Sequence, residues 1–133
     1  MDEIDYKILE ILRKNARTTN DDIASVVKLT EGAIRNRIKR LVSTGVIKRF
    51  TIVTEATQPE AIVLIKTQAK GSKETLEKIR SYTNRLFETV GEYDVAGFIT
   101  AESIERINST IDKLRNVEGV ISTATLLKIA DGR

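Results

Sequence analysis

The sequence predicts an α+β protein in two parts. A three-helix helix-turn-helix unit spans residues 1–50, a linker strand follows over 51–60, and a ferredoxin-like βαββαβ unit spans 61–133. Three observations carry this prediction. Residues 1–44 place apolar side chains at helical spacing in three short runs. From Val46 onward β-branched runs take over and alternate with two further helical stripes. The order strand, helix, strand then occurs twice, which is the split βαβ arrangement.

Each element has its own signal. Ile4, Ile8, Leu9, Ile11 and Leu12 form the stripe of a first helix, with Asp2 or Asp5 available to cap it, and "NARTT" ends it. Asn20 is placed to cap a short second helix whose Ile23, Ala24 and Val27 face inward. "KLT" is a tight connection, and Thr30 caps a third helix that runs to Thr44, where Gly45 stops it. "VIKRFTIVT" reads as extended and leads into "EATQPE", which holds the single proline and is the best linker. Beyond it, "AIVLIKTQA" is a strand, "SKETLEKIRSYT" a helix and "RLFETVGE" a strand. "DVAGFIT" is then a strand, "SIERINSTIDKLRN" a helix with Ile104, Ile107, Ile111 and Leu114 on one stripe, and "VISTATLLKI" the last strand.

The strands also predict assembly. In "AIVLI", Ala61, Val63 and Ile65 point one way while Ile62 and Leu64 point the other, and the last strand is apolar on both alternations. Two helices cover one face of a four-stranded sheet, so the second face calls for another subunit and a homo-oligomer is expected.

Composition excludes several classes of function. The 133 residues contain no cysteine and no histidine, which removes disulfides, thiolate chemistry, Cys-based metal sites and the commonest general base. No P-loop, GxSxG or metal-ligand spacing occurs, so no enzyme, cofactor or metal is expected. The acidic, amphipathic start "MDEIDYK" is unlike a signal peptide and no apolar run is long enough to span a bilayer, so a cytoplasmic protein without a membrane partner is expected.

Charge is informative through its distribution. The total is +3, yet residues 1–54 hold 11 Lys or Arg against 7 Asp or Glu, while residues 55–133 hold 11 against 12. Lys28, Arg35, Arg37, Lys39, Arg40, Lys48 and Arg49 crowd into residues 28–49 beside one acid, Glu31. A local basic patch of this kind suits a polyanion, although a basic run by itself is more often a solvated face.

The third helix weighs against that bland reading. At about 100° per residue, Ile34, Ile38, Leu41 and Val42 fall on the core side. Arg35 and Lys39 take one shoulder and Arg37 and Arg40 the other, with Gly32, Ala33 and Asn36 outermost. Small residues near the N-terminus permit close approach to a major groove, Asn36 can pair with an adenine edge, and the flanking bases can reach phosphates or bases. The free N–H groups that follow Thr30 suit a phosphate. A short capped helix at the right interval before it makes double-stranded DNA the expected partner.

These residues are similar to a known family. "DEIDYKILEILRKNARTTNDDIASVVKLTEGAIRNRIKRLVSTGVIKRF" closely resembles the N-terminal half of the Lrp/AsnC (feast/famine) transcription regulators. The shared positions include Asp5, Ile8-Leu9, Leu12, Ala16-Arg17, Ala24, Leu29, the run Arg37-Ile38-Lys39-Arg40-Leu41 and Gly45-Val46-Ile47. "VGEYDV" and "VEGVISTATLL" resemble that family's effector-binding half. Two departures stand out. Lys28 occupies a turn position where many relatives have glycine, which implies a slightly different turn and an extra cation for a phosphate. The link from Thr51 to Glu60 is short, which bears on the spacing of the DNA-binding heads.

The resemblance implies dimers joined through the C-terminal sheets, or octamers built from them. It also implies an amino acid or similar small effector held near the turn between the second and third strands of that half. Carried onto this chain, the turn is Gly91, Glu92, Tyr93 and Asp94. Asp94 would pair with an α-ammonium, Tyr93 would cover the pocket, and Gly91 would let backbone approach. Ser122, Thr123 and Thr125 would bind the remaining polar atoms, and Glu92 or Glu102 would favour a basic effector such as lysine. A well-formed turn explains "GEYD" equally well.

Two other readings stay open at this point. One is an amino-acid-binding or oligomerisation protein with only non-specific nucleic-acid contact. The other, a ferredoxin-like RNA binder, fits poorly because Phe98 is the one central-strand aromatic and no RNP-type motif occurs.

Overall fold

Local hydrogen bonding at the helix starts shows why the first part of the chain folds as it does. The computed structural model describes residues 1–55, 57–68 and 72–132. Helix α1, Glu3–Lys14, opens on a capping box in which the Asp2 side chain accepts from the Asp5 N–H and the Asp5 side chain accepts from the Asp2 N–H. Helix α2, Asn20–Val27, is capped by Thr19 rather than by Asn20: the Thr19 hydroxyl accepts from the Asp22 N–H at 3.1 Å, and Asn20 is already helical. Thr30 caps helix α3, Glu31–Ser43, through the Ala33 N–H at 3.2 Å. Gly45, at φ +79°, ends that helix with its N–H on the Val42 carbonyl.

Ile8, Leu9, Ile23, Ala24, Ile34 and Leu41 form the core of this unit, with Ile38 and Ile47 packed against it. Val42 differs from expectation, being 46% exposed. It lies roughly 80° from Ile34 around the helix, on a shoulder that neither α1 nor α2 covers.

The described residues of the extended stretch that follows form no strand. Among the described residues, 46–59 carry no ladder, and Ile52 and Val53 are 79% and 98% exposed. The linker strand expected over 51–60 is therefore corrected. β-Branched residues favour a pleated chain only where a neighbouring strand takes up its N–H and C=O groups.

The chain divides into two compact units, Met1–Thr54 and Glu55–Arg133. The second contains β1 (Glu60–Thr67), α4 (Lys73–Ser81), β2 (Arg85–Glu88), β3 (Val95–Thr100), α5 (Ile104–Arg115) and β4 (Val120–Leu127). The sheet order is β2-β3-β1-β4, with every neighbouring pair antiparallel. This is the ferredoxin-like βαββαβ topology. Ala61, Val63, Ile65, Val95 and Ile99 pack from one sheet face against Ile79, Ile107, Ile111, Leu114 and Val117. Ile104, expected on the buried stripe, is 49% exposed because it begins α5 beyond the edge of that core.

Among the described residues of this unit, none forms a layer over the other sheet face. Register places Ile62, Leu64 and Lys66 there with Ala96, Phe98, Phe87, Ser122, Ala124 and Leu126. Phe87 and Phe98 meet edge to face at 5.9 Å between centroids. Among the described residues no helix is long and apolar enough to cross a membrane.

Candidate functional site

The α2–α3 turn sets how the third helix is presented. Lys28 sits at φ 60°, ψ 46°, the one non-glycine residue with positive φ among those described. The turn is thus the left-handed one that glycine favours, which corrects the expectation of a different geometry. The Leu29 N–H reaches the Ala24 carbonyl at 3.1 Å, closing α2 and sending the chain into Thr30. A side chain in this conformation is strained, so Lys28→Gly should raise stability by about 1 kcal/mol. Thermal unfolding of the variant checks this, and a lowered Tm would contradict it.

Along α3, Asn36, Lys39 and Arg40 are exposed, and Gly32 and Ala33 form a half-buried, small-residue start. A Cβ on Gly32 would meet only the tip of Arg35, so the helix start is open to close approach. Arg35 pairs with Glu31 at 2.7 Å but remains largely exposed, and a surface pair of this kind is given up at little cost.

Arg37 is placed differently from the expectation that grouped it with the DNA contacts. It lies beside Leu41 on the wheel, next to α1, and its Nη1 reaches Asp2 Oδ1 and Oδ2 at 2.8 and 2.7 Å and Asp5 Oδ1 at 3.1 Å. The Arg37 guanidinium, with the Asp5 backbone N–H, holds the Asp2 carboxyl down at about 2. Asp2 and then Asp5 raise the pKa of Arg37 in turn. Arg37 is a structural tie between α3 and α1. Sequence reasoning recognised Asp2 and Asp5 as helix caps but not as ion-pair partners, because a partner more than thirty residues away leaves no local signal.

The candidate effector residues do not converge as a set. Asp94 is engaged within the chain: its Oδ2 accepts from the Thr67 N–H at 2.9 Å and lies 3.4 Å from the Thr67 hydroxyl. Its backbone N–H donates to the Ile65 carbonyl at 3.0 Å. That role ties the β2–β3 turn to the end of β1 through one oxygen of the Asp94 carboxylate. Gly91, at φ +135°, is a turn position that requires glycine, with open space around it, and Glu92 is exposed beside it.

Thr123 accepts from Arg115 Nε at 3.0 Å, and Thr125 pairs with Val63, so both belong to the helix-covered side of β4. Ser122 is on the open side, opposite Lys66. Glu102 follows β3 at the far end of the sheet from the turn, since Thr100 pairs with Glu60 while Val95 pairs with Ile65. The structure instead gathers Tyr93, Ser122 and Lys66 at one end of the open face, with Lys66 Nζ 5.9 Å from the Tyr93 ring centre. Lys66 was missed because its place depends on strand register. A separate open groove of about 890 Å³, bounded by Thr75, Lys78, Tyr82, Lys113 and Asn116, includes none of these residues.

A short capped helix, a tight left-handed turn and a third helix with an exposed polar and basic arc define a DNA-binding transcription regulator of the helix-turn-helix class. Residues 1–48 match the family described as winged helix-turn-helix DNA-binding. The HTH-type transcriptional regulator LysM of Sulfurisphaera tokodaii is 45% identical over 127 residues, covering 92% of this chain and 91% of the relative. AsnC of E. coli shares the fold at a TM-score of 0.78 and 22% identity, over 98% of this chain and 93% of that one. So does the transcriptional regulator NMB0573 of Neisseria meningitidis, solved as its L-Met complex, at 0.78 and 19% over 100% and 92%. The chain belongs to the Lrp/AsnC family of transcription regulators and is not an enzyme.

Proposed function

We propose that the protein reads a specific DNA sequence through α3 and that a small effector, an amino acid or a close relative, changes its affinity for that site. The observation that carries the DNA reading is the outward arc of α3, where Asn36, Lys39 and Arg40 are exposed beside the half-buried Gly32 while Ile34, Ile38 and Leu41 face the core. Asn36 supplies paired hydrogen bonds to adenine, and Lys28, Lys39 and Arg40 meet phosphates, with the N-terminal N–H groups beyond Thr30. Thr30, Ala33 and Arg35 border that contact.

Asn36→Ala should cost about 1–3 kcal/mol of discrimination at one base pair while leaving binding to random DNA nearly unchanged. Binding to a selected sequence and to a random duplex, measured at one fixed salt concentration, tests this. An equal fall for both would remove the base-reading role.

The effector reading rests on Lys66, Tyr93 and Ser122 at one end of the open sheet face, a set suited to a carboxylate and a small polar group. The apolar part of that face, with Phe87 and Phe98 each about 40% exposed, supports a homodimer and larger assemblies built from it. An effector that binds one assembly better than another shifts the population and so changes operator affinity. The protein would act in the cytoplasm, on the nucleoid. A thermal-shift screen of the twenty amino acids, read alongside oligomer mass, should show one of them raising Tm, with the rise lost in Lys66→Ala. No response to any of the twenty would reject an amino-acid effector.

A further inference from the structure

One carboxylate in the DNA-binding unit serves two arginines that do different work. Asp5 is 2% exposed, an unusual burial for an acid. Its Oδ1 accepts from Arg37 Nη1 at 3.1 Å, and its Oδ2 accepts from the Asp2 N–H at 3.2 Å and from Arg40 Nη2 at 3.5 Å. The two arginines are held unequally. Arg37 has three contacts of 3.1 Å or less and a side chain that is 22% exposed, whereas Arg40 has one contact at 3.5 Å and a side chain that is 60% exposed.

Arg37 is therefore committed to the fold, and Arg40 is available. Arg40 also lies one turn beyond Asn36 on the outward side of α3, where a base-reading helix is flanked by backbone phosphates. Its departure would leave Asp5 with Arg37 and the Asp2 N–H, so no buried carboxylate would be orphaned. Only the guanidinium side of this part-buried pair is exposed, and 3.5 Å is long for a charge-assisted bond, whereas a guanidinium–phosphate contact can form at full hydrogen-bond distance and releases a counterion.

We propose that Asp5 is a positioning residue for DNA recognition: it fixes the rotation of α3 against α1 through Arg37 and holds Arg40 in a weak pair from which Arg40 passes to a backbone phosphate when DNA docks. This rests on the DNA reading above and deepens it. Asp5 touches no DNA itself. Its charge is spent on orientation and on keeping Arg40 folded back until a phosphate displaces the carboxylate.

The test uses the full-length protein, a duplex selected by the wild type from a random pool, and a random duplex, each titrated over a range of salt. Asp5→Asn keeps shape and one acceptor but removes the charge. It should bind random DNA as well as the wild type or better, because Arg40 is released. Its preference for the selected duplex should fall by at least about fivefold, the low end of what one base contact discriminates.

Arg40→Ala should lower affinity for both duplexes alike and reduce the slope of log affinity against log salt by about one. A parallel loss on both duplexes in Asp5→Asn would mean that Asp5 merely stabilises the unit, and would overturn the positioning role. An unchanged salt slope in Arg40→Ala would overturn the transfer to phosphate, even if Asp5→Asn failed to fold. Failure of the wild type to select any sequence would reject the DNA reading itself, a result distinguishable from both.

Discussion

Ile34→Ala should cost the DNA-binding unit about 3–4 kcal/mol, enough to abolish DNA binding at ordinary growth temperatures. Ile34 is fully buried at the centre of a core that also contains Ile8, Leu9, Ile23, Ala24 and Leu41. A unit confined to Met1–Thr54 has little surface to bury, and its total stability is expected to be only a few kcal/mol. Truncating a fully buried member of that core therefore takes away a large share of that stability. Amide exchange separates this effect from a general one. The amides of α1 to α3 should lose protection in the variant, while those of β1 and β3 keep it. Loss of protection across both units would show that the two unfold together.

Gly119→Ala should be nearly as damaging to the second unit, costing about 3 kcal/mol from backbone strain and a lost hydrogen bond together. Gly119 stands at φ +96° where α5 gives way to β4, a conformation that L side chains rarely adopt. An added Cβ would sit 2.6 Å from Thr75 Oγ1, the atom that donates to the Glu118 carbonyl at 2.9 Å. The Gly119 carbonyl also accepts from the Gln68 N–H at 2.8 Å, so the strand end cannot easily move away. Denaturant unfolding of Gly119→Ala, Thr75→Ala and the double variant measures the coupling. The double variant should cost less than the sum of the two single ones, because one clash is removed with the side chain that causes it. Strict additivity would mean that the cost comes from the backbone alone.

Both predictions depend on features of different legibility. The three helices, their inward residues and the Thr30 cap follow from periodicity and capping chemistry, which are local. Ile34 as a core residue is of that kind. Gly119 is not, because its importance comes from Thr75 on another helix. The candidate sites divide along the same line. Asn36 and Lys39 can be placed outward from helix geometry alone, since Ile34, Ile38 and Leu41 define the opposite side. Arg37 occupies the same basic run, yet it is turned to Asp2 and Asp5. The effector candidates fared less well as a group, because Ser122 and Thr123 are neighbours in sequence but lie on opposite faces of a strand.

By itself, the sequence determined the two-part α+β architecture, the helical register that turns Asn36 outward, the basic charge of the first part and an apolar face left over on the sheet. All of these arise from side-chain spacing and composition within one element or between adjacent ones. Tertiary structure alone decided which charges are free and which are committed: Arg37 tied to α1, Arg40 shared with Asp5, Asp94 bound to the end of β1, and Lys66 brought to Tyr93. It also decided that the described residues of 51–59 form no strand here. The physical reason is common to all five. A charged group or an extended backbone interacts with whatever the fold brings within its reach, at hydrogen-bond distance for a carboxylate and at 5.9 Å for Lys66 over the Tyr93 ring, and for these groups that partner comes from a distant part of the chain or is not found among the described residues.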